Sequence, residues 1–255
     1  MKTGQPSITA QRVAAHRLTF DREPAPYGEP AGDELLARDV AGDVRHGQSN
    51  MVTYLAARTS FFDRVVVRAL DGGMRQVVVA GAGYDGRALR YAKPGVRWFE
   101  IDHPDTQHDK RARLDRLGID TAAITFVPVD FTADDVASAM SETAHDRTTP
   151  TLIVCEGVAV YLDRPVLDTL LRGLRTIASV RSRLAISVSI SRDDPALAER
   201  RATFQSAVAA IGEPARTVLT ADDADSLFSE TGWQPTGATG QERARRAGLL
   251  VATPV

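Results

Sequence analysis

Residues 77–91 read VVVAGAGYDGRALRY. Val77, Val78, Val79 and Ala80 form a short apolar run that enters the glycine turn Gly81-Ala82-Gly83-Tyr84-Asp85-Gly86. A helical segment follows at once. Apolar strand, glycine turn and helix in this order open a βαβ unit, and the turn is the place where such units hold the polar part of a nucleotide-like ligand.

Working outward from this unit, the chain alternates short β-branched runs with helical stretches. The runs are QVVVAG, VRWFEID, ITFVPVD, PTLIVCEG, RLAISVSI and AGLLVATPV. Between them lie GRALRYA, TQHDKRARLDRLG, ADDVASAMSETA, RPVLDTLLRGLRTIA and ADDADSLFSETG. Strands that are apolar throughout and alternate with helices predict a mostly parallel sheet covered on both faces. The last run has the look of an antiparallel addition. Residues 1–70 read instead as helix and loop. SITAQRVAAHRLTFD opens on a Ser/Thr cap signal, EPAPYGEPAGDE is a break, and ELLARDVAG and NMVTYLAARTSFFDRVVVRAL are a short and a long helix, the second stopping at Asp71-Gly72-Gly73. The expected fold class is therefore α/β: a doubly wound, Rossmann-like domain over 71–255 with an N-terminal helical cap over 1–70, forming one structural unit.

Composition narrows the function. The 255 residues are 43% hydrophobic and 25% charged, with a net charge of −2, which points to neither nucleic acid nor an anionic membrane as a partner. No stretch approaches the ~18 apolar residues of a membrane span, and the expected location is cytoplasmic. The single cysteine, Cys155, sits in an apolar run and reads as a core residue, so neither a disulfide nor a cysteine metal site is expected. HPDTQHDK offers no partner motif for a metal, and none is expected. Lysines occur only at 2, 93 and 110, beside abundant arginine and alanine, which suggests a GC-rich bacterial genome.

The chemistry is carried by acids at successive strand ends. Glu100 and Asp102 close the second strand about 20 residues after the glycine turn, where an acid accepts hydrogen bonds from ribose hydroxyls. Asp130 closes the third strand, placed to reach an adenine amino group, and Glu156 closes the fourth. Both NAD and S-adenosyl-L-methionine (SAM) present an adenosine to this arrangement. A pyrophosphate wants an open helix N-terminus and basic surroundings. A sulfonium with a methionine tail wants acids and one cation for its carboxylate, and Arg58 lies just upstream. None of Tyr27, Tyr54, Tyr84, Tyr91 and Tyr161 is followed four residues later by a lysine, so no dehydrogenase proton relay is visible. The residues favour SAM, with the dinucleotide as the alternative.

AARTSFFD, VVVAGAGYDGRALRY, WFEIDHP, VPVDF and CEGVAVYL resemble, in order, the signatures of the leucine carboxyl methyltransferase family, and more closely its bacterial branch of SAM-dependent O-methyltransferases. TAQRVAAHR and SETGW resemble that branch too. The resemblance implies that Arg58 pairs with the methionine carboxylate of SAM, with Arg17, or else Arg12, as a second cation. It implies that Gly81, Ala82 and Gly83 let the backbone approach the methionine portion. Asp102, supported by Glu100, would hold the ribose; Asp130 and the Phe131 amide would meet the adenine; Glu156 would lie near the amino group and sulfonium. The family loop continues with Asp-Thr or Asp-Ser, whereas Asp85 here precedes Gly86.

The implied reaction is methyl transfer to a carboxylate or hydroxyl oxygen of a small molecule, an in-line substitution. Its alternatives are carboxyl methylation of a protein or peptide C-terminus, an NAD(P)-dependent oxidoreductase, and a silent SAM-binding protein. A carboxylate acceptor needs no base, while a phenol or alcohol does. Tyr161 and His103 are the candidates for a catalytic side chain. His16 and His46 fall in the cap, and His108 reads as solvated. The basic cluster DKRARLDRLG reads as a solvated helix face laced with aspartates, and ERARRAG reads as a turn.

Overall fold

A computed structural model describes residues 4–43, 51–191, 195–236 and 248–255, apart from the side chains of 195–198, 200 and 201. Three helices come first: α1 (Ile8–Arg17), α2 (Pro30–Gly42) and α3 (Val52–Asp71). The alternating part runs β1 (Gln76–Ala80), α4 (Arg87–Arg90), β2 (Arg97–Asp102), α5 (Pro104–Arg116), β3 (Ile124–Pro128), α6 (Val136–Ser141), β4 (Thr151–Cys155), α7 (Arg164–Thr176) and β5 (Arg183–Ser187). It closes with α8 (Pro195–Ala209), α9 (Ala221–Glu230), β6 (Trp233–Pro235) and β7 (Leu249–Pro254).

Among the described residues the strands form one seven-stranded sheet in the order β3-β2-β1-β4-β5-β7-β6. β1 to β5 are mutually parallel, and β7 runs antiparallel between β5 and β6. The order reverses between β1 and β4, so the carboxyl ends of β1, β2 and β4 surround the crevice where α/β sheets take ligands.

The period-2 alternation of side chains sorts the apolar strands into two cores. Val78, Phe99, Ile101 and Ile153 face α6, α7 and α9, where Leu167, Leu171 and Phe228 are fully buried. Val77, Val79, Trp98 and Leu152 face the other way, against Phe62, Val66 and Leu70 of α3 and Leu36 of α2. α3 thus packs as a layer on this face of the sheet, because its apolar stripe has the sheet as its partner.

Local chemistry sets the ends. Ser7 Oγ accepts from Ala10 N at 3.1 Å and caps α1. Gly73, at φ +89°, ends α3, with Met74 N reaching Ala69 O at 2.9 Å. Two elements escaped the sequence reading. The α8 stretch PALAERRATFQSAVA carries small residues all round the wheel, so no stripe marks it. β6 is three residues long and pairs only at the sheet edge.

Candidate functional site

A cavity of about 2030 Å³ opens at the carboxyl ends of the strands. That exceeds the ~300–1,000 Å³ of an ordinary single-ligand pocket. Gly81 and Gly83 form its floor at φ +73° and +51°, a region that L side chains avoid. Two neighbours press on them: a Cβ on Gly81 would overlap Val158, and one on Gly83 would overlap Ala10 of α1. Gly81 N and Ala82 N both donate to Ile101 O, at 2.8 and 3.1 Å. Gly83 N donates to Asp102 Oδ2.

Asp102 also takes the His103 amide on Oδ1, at 2.7 Å. Each carboxylate oxygen thus accepts one backbone hydrogen bond and has a lone pair left for a second, so both retain capacity toward the cavity. Burial pushes the Asp102 carboxyl above its usual range, against the lowering effect of the two amides. Asp130 Oδ1 is filled by Thr132, from its amide at 2.9 Å and its hydroxyl at 2.7 Å. Its Oδ2 lies 3.7 Å from His103 Nε2, beyond hydrogen-bond reach, and accepts no hydrogen bond among the described residues. Burial raises the Asp130 carboxyl, and the Thr132 bonds together with nearby positive charge, His103 included, reverse that and leave it below its usual range. Phe131 lies on the wall beside it. His103 Nδ1 accepts from Asp105 N at 3.2 Å and caps α5, so that nitrogen is committed to structure.

At the β4 end, Glu156 collects three guanidinium groups: Arg58 at 2.8 Å, Arg87 at 2.6 Å and Arg17 at 3.1 Å. Burial alone would raise its carboxyl, but Arg87, Arg17 and Arg58 outweigh that and hold it well below the usual range. Asp85 behaves in the same way, with burial opposed by Arg87 and then Arg17. Arg87 is fully buried and also binds Asp63 at 2.7 Å. Arg17 is buried on the cavity wall, and its Nε has no partner among the described residues. A buried donor left open carries a desolvation cost that an incoming anion would relieve.

Glu100 departs from the expected arrangement. It does not line the cavity: its buried carboxylate binds Lys110 at 2.6 Å, and Lys110 Nζ also donates to Asp85 O at 2.7 Å. Glu100 braces the glycine loop from behind, because one period-2 step down the strand lies under α5 rather than in the crevice. The basic cluster of α5 is likewise not all solvated. Lys110 and Arg113 are buried, and Arg113 binds Asp39 of α2 and Asp43 just past its end as well as Asp109, while Arg111 and Arg116 stay exposed.

Gly86, where the loop leaves the family pattern, has a steric cause. A Cβ there would overlap the Asp33 carboxylate of α2, which bridges Arg22 at 2.8 Å and Arg90 at 2.6 Å. Gly86→Ser is expected to lower unfolding stability by about 1–3 kcal/mol through this overpacking. Adding Asp33→Ala to Gly86→Ser should cost less than the sum of the two single changes in urea unfolding, and strict additivity would exclude the clash.

The far end of the cavity lies over β4 and β5 and under α8. Its wall is largely apolar, with Val158, Val160, Leu162, Val188, Ile190 and Phe204. Tyr161 and Tyr54 line it with phenols that burial pushes above the usual range, so they keep their protons at neutral pH. His16, stacked on Phe20, is on the wall, and so is the exposed Arg12. His108 is exposed on α5. His46 and most of ERARRAG lie outside the described residues.

The profile of the leucine carboxyl methyltransferase family matches residues 10–175. The chain belongs to this family. It is 32% identical over 275 aligned positions to a Mycobacterium sp. (strain JLS) protein named "Putative S-adenosyl-L-methionine-dependent methyltransferase", covering 96% of this chain and 89% of that one. A Mycobacterium marinum protein of the same name is 35% identical over 192 positions, covering 70% of this chain and 62% of that one. Among solved structures, a Thermobifida fusca methyltransferase so named provisionally superposes with a TM-score of 0.63 at 14% identity, covering 99% and 96% of the two chains. Human N-acetylserotonin methyltransferase in complex with SAM superposes at 0.52 and 14% identity, covering 96% and 66%. These superpositions establish the class I methyltransferase fold.

Membership in the leucine carboxyl methyltransferase family removes the dinucleotide alternative, and the loop agrees. The Gly83 amide, which a pyrophosphate would need, is taken by Asp102, and α4 is a four-residue helix whose first amide is capped by Asp85. Arg87, Lys110 and Glu213 were not singled out in the sequence. A trace of Lys110 existed, since it is one of only three lysines in an arginine-rich chain. Apart from Asp85, two positions before Arg87, the carboxylates that Arg87 binds and the donors that Glu213 binds lie 24 to 206 positions away, so neither residue left a local signal of its burial.

Proposed function

We propose that this member of the leucine carboxyl methyltransferase family binds SAM over β1, β2 and β3 and methylates an oxygen of a bulky, largely apolar small molecule seated over β4 and β5. The observation that carries the reading is the division of one cavity into a polar half and an apolar half. The polar half fits the cofactor. Arg17 holds an unpartnered buried N–H for a carboxylate, Asp102 keeps acceptor capacity for ribose hydroxyls, and Asp130 keeps a free oxygen for an amino group. Bound SAM supplies an electrophilic methyl group on a sulfonium.

The chain's own contribution is then placement. Arg58 and Glu156 fix each other at the β4 end; Val158 and its apolar neighbours exclude water around the acceptor; α1 covers the glycine loop through Ala10. Holding a nucleophile about 3 Å from the methyl carbon, in line with the departing sulfur, accounts for most of the acceleration such a transfer needs. Tyr161 and Tyr54, held protonated, serve as hydrogen-bond donors to the acceptor rather than as bases. A carboxylate acceptor suits this wall best, since it arrives ionised.

Calorimetric titration with S-adenosylhomocysteine (SAH) is expected to give micromolar binding, and titration with NAD none. Binding of NAD alone would reject the reading. Once an acceptor is in hand, a rate flat between pH 6 and 9 identifies a carboxylate, and a rate rising with pH identifies a hydroxyl.

A further inference from the structure

Glu213, in the connection between α8 and α9, stands outside the sheet and every motif of the glycine loop. Its position is set by the end of α8. Gly212, at φ +81°, occupies the left-handed position past the helix; Gly212 N reaches Ala209 O, and Glu213 N reaches Val208 O, each at 3.0 Å. This paired closure fixes the residue after the glycine with little freedom.

From there the carboxylate reaches the start of α1. Oε1 accepts from Ile8 N at 2.8 Å. Oε2 accepts from Thr9 N at 3.2 Å, from Ser7 Oγ at 3.1 Å and from Thr9 Oγ1. Four donors fill a carboxylate. With Ser7 serving Ala10 N, the open amides of the first turn of α1 are all satisfied, two of them by a side chain 205 and 204 positions distant. Glu213 is buried, at 8% exposure, so these bonds are shielded from water.

The helix held in this way spans the cavity. Ala10 sits on Gly83, and Arg17, at the other end, meets Glu156 and Asp85. The tether from α5 acts earlier, through Gly4 N to Asp105 and Ser7 N to Thr106, and holds the chain before the helix rather than its first turn. On the opposite side α8 supplies Thr203, Phe204 and Val208 to the acceptor wall.

We propose that Glu213 is a positioning residue: it latches α1 over the cavity, ties that lid to the acceptor wall on α8, and through α1 sets Arg17 at the cofactor end. The role of Arg17 rests on the cofactor reading above; the latch itself does not.

Two measurements on the full chain separate these. In hydrogen exchange, Glu213→Ala should remove protection from the amides of residues 8–17 while those of β1 and β4 keep theirs, and Glu213→Gln, which restores one acceptor, should recover part of it. In SAH titration, Glu213→Ala should raise Kd about tenfold. That loss should be much smaller when Arg17 is already alanine, because both changes remove one contribution. Unchanged protection of α1 in Glu213→Ala overturns the latch, and so does loss spread evenly over the sheet. Losses that add independently of Arg17 overturn the route through that arginine. If wild-type protein binds no SAH, the cofactor reading fails while exchange on α1 still decides the latch.

Discussion

Arg87→Met is expected to lower unfolding stability by about 3–5 kcal/mol at pH 7, the usual cost of breaking a buried ion pair from one side. Methionine fills similar volume, so the loss reports charge rather than a void. The change removes a shared partner from Asp63, Asp85 and Glu156, all buried, and leaves them with Arg22, with Arg17, and with Arg58 and Arg17 respectively. In the wild type, burial raises each of these carboxyls and the surrounding arginines more than reverse that, leaving them below their usual range. A depressed carboxyl contributes stability above its unfolded pKa, near 4, and loses it as pH falls through the folded value. Without Arg87 the same groups rise, so the variant gains stability on acidification relative to wild type. The gap between the two proteins should therefore be widest near neutrality and narrow toward pH 4, as read by urea unfolding at several pH values. A gap that does not depend on pH would mean that the carboxylates are compensated in another way.

Asp102→Ala should weaken SAH binding by about 2–3 kcal/mol, roughly 30- to 150-fold, through loss of the ribose acceptor and of the carboxylate that ties down Gly83 and His103. Asp102→Asn keeps one acceptor oxygen and should fall between. Calorimetry gives the affinity, and urea unfolding of the same variants separates loosening of the loop from loss of the ligand contact. Wild-type affinity in Asp102→Ala would remove this residue from the cofactor site.

In the proposed reading, cofactor and acceptor share one cavity, with the glycine loop and strand-end acids on one side and the apolar wall of the β4 and β5 loops on the other. The first side is rigid for local reasons: Gly81 and Gly83 adopt left-handed turns, and Asp102 bonds backbone within two positions of itself and across one strand. The second side, with α1 and α8 above it, depends on long-range ties such as Glu213 to Ile8. On that reading, the acceptor's shape would be read by elements whose placement is tertiary.

How much was legible in the sequence follows the range of each interaction. Apolar runs of four to six residues, broken by Gly-Gly or Asp-Gly and separated by helical stretches, determine a parallel sheet covered on both faces, since period and turn chemistry act over a few residues. The glycine turn and the acids at 102, 130 and 156 follow from the same local grammar, because a strand end puts its last side chain in the crevice. What only the tertiary structure decided are the pairings between distant charges. Glu100 and Asp102 share a strand and a face, yet Lys110 claims the first and leaves the second to the cavity. Gly86 reads as a lost hydroxyl until Asp33, from a helix more than fifty positions upstream, is found in its place. Arg87 and Glu213 differ in no local way from the exposed Arg111 and Glu230. Burial converts a surface charge into a structural one only when partners of opposite sign or free amides arrive with it, and which partners arrive is settled by packing across the chain.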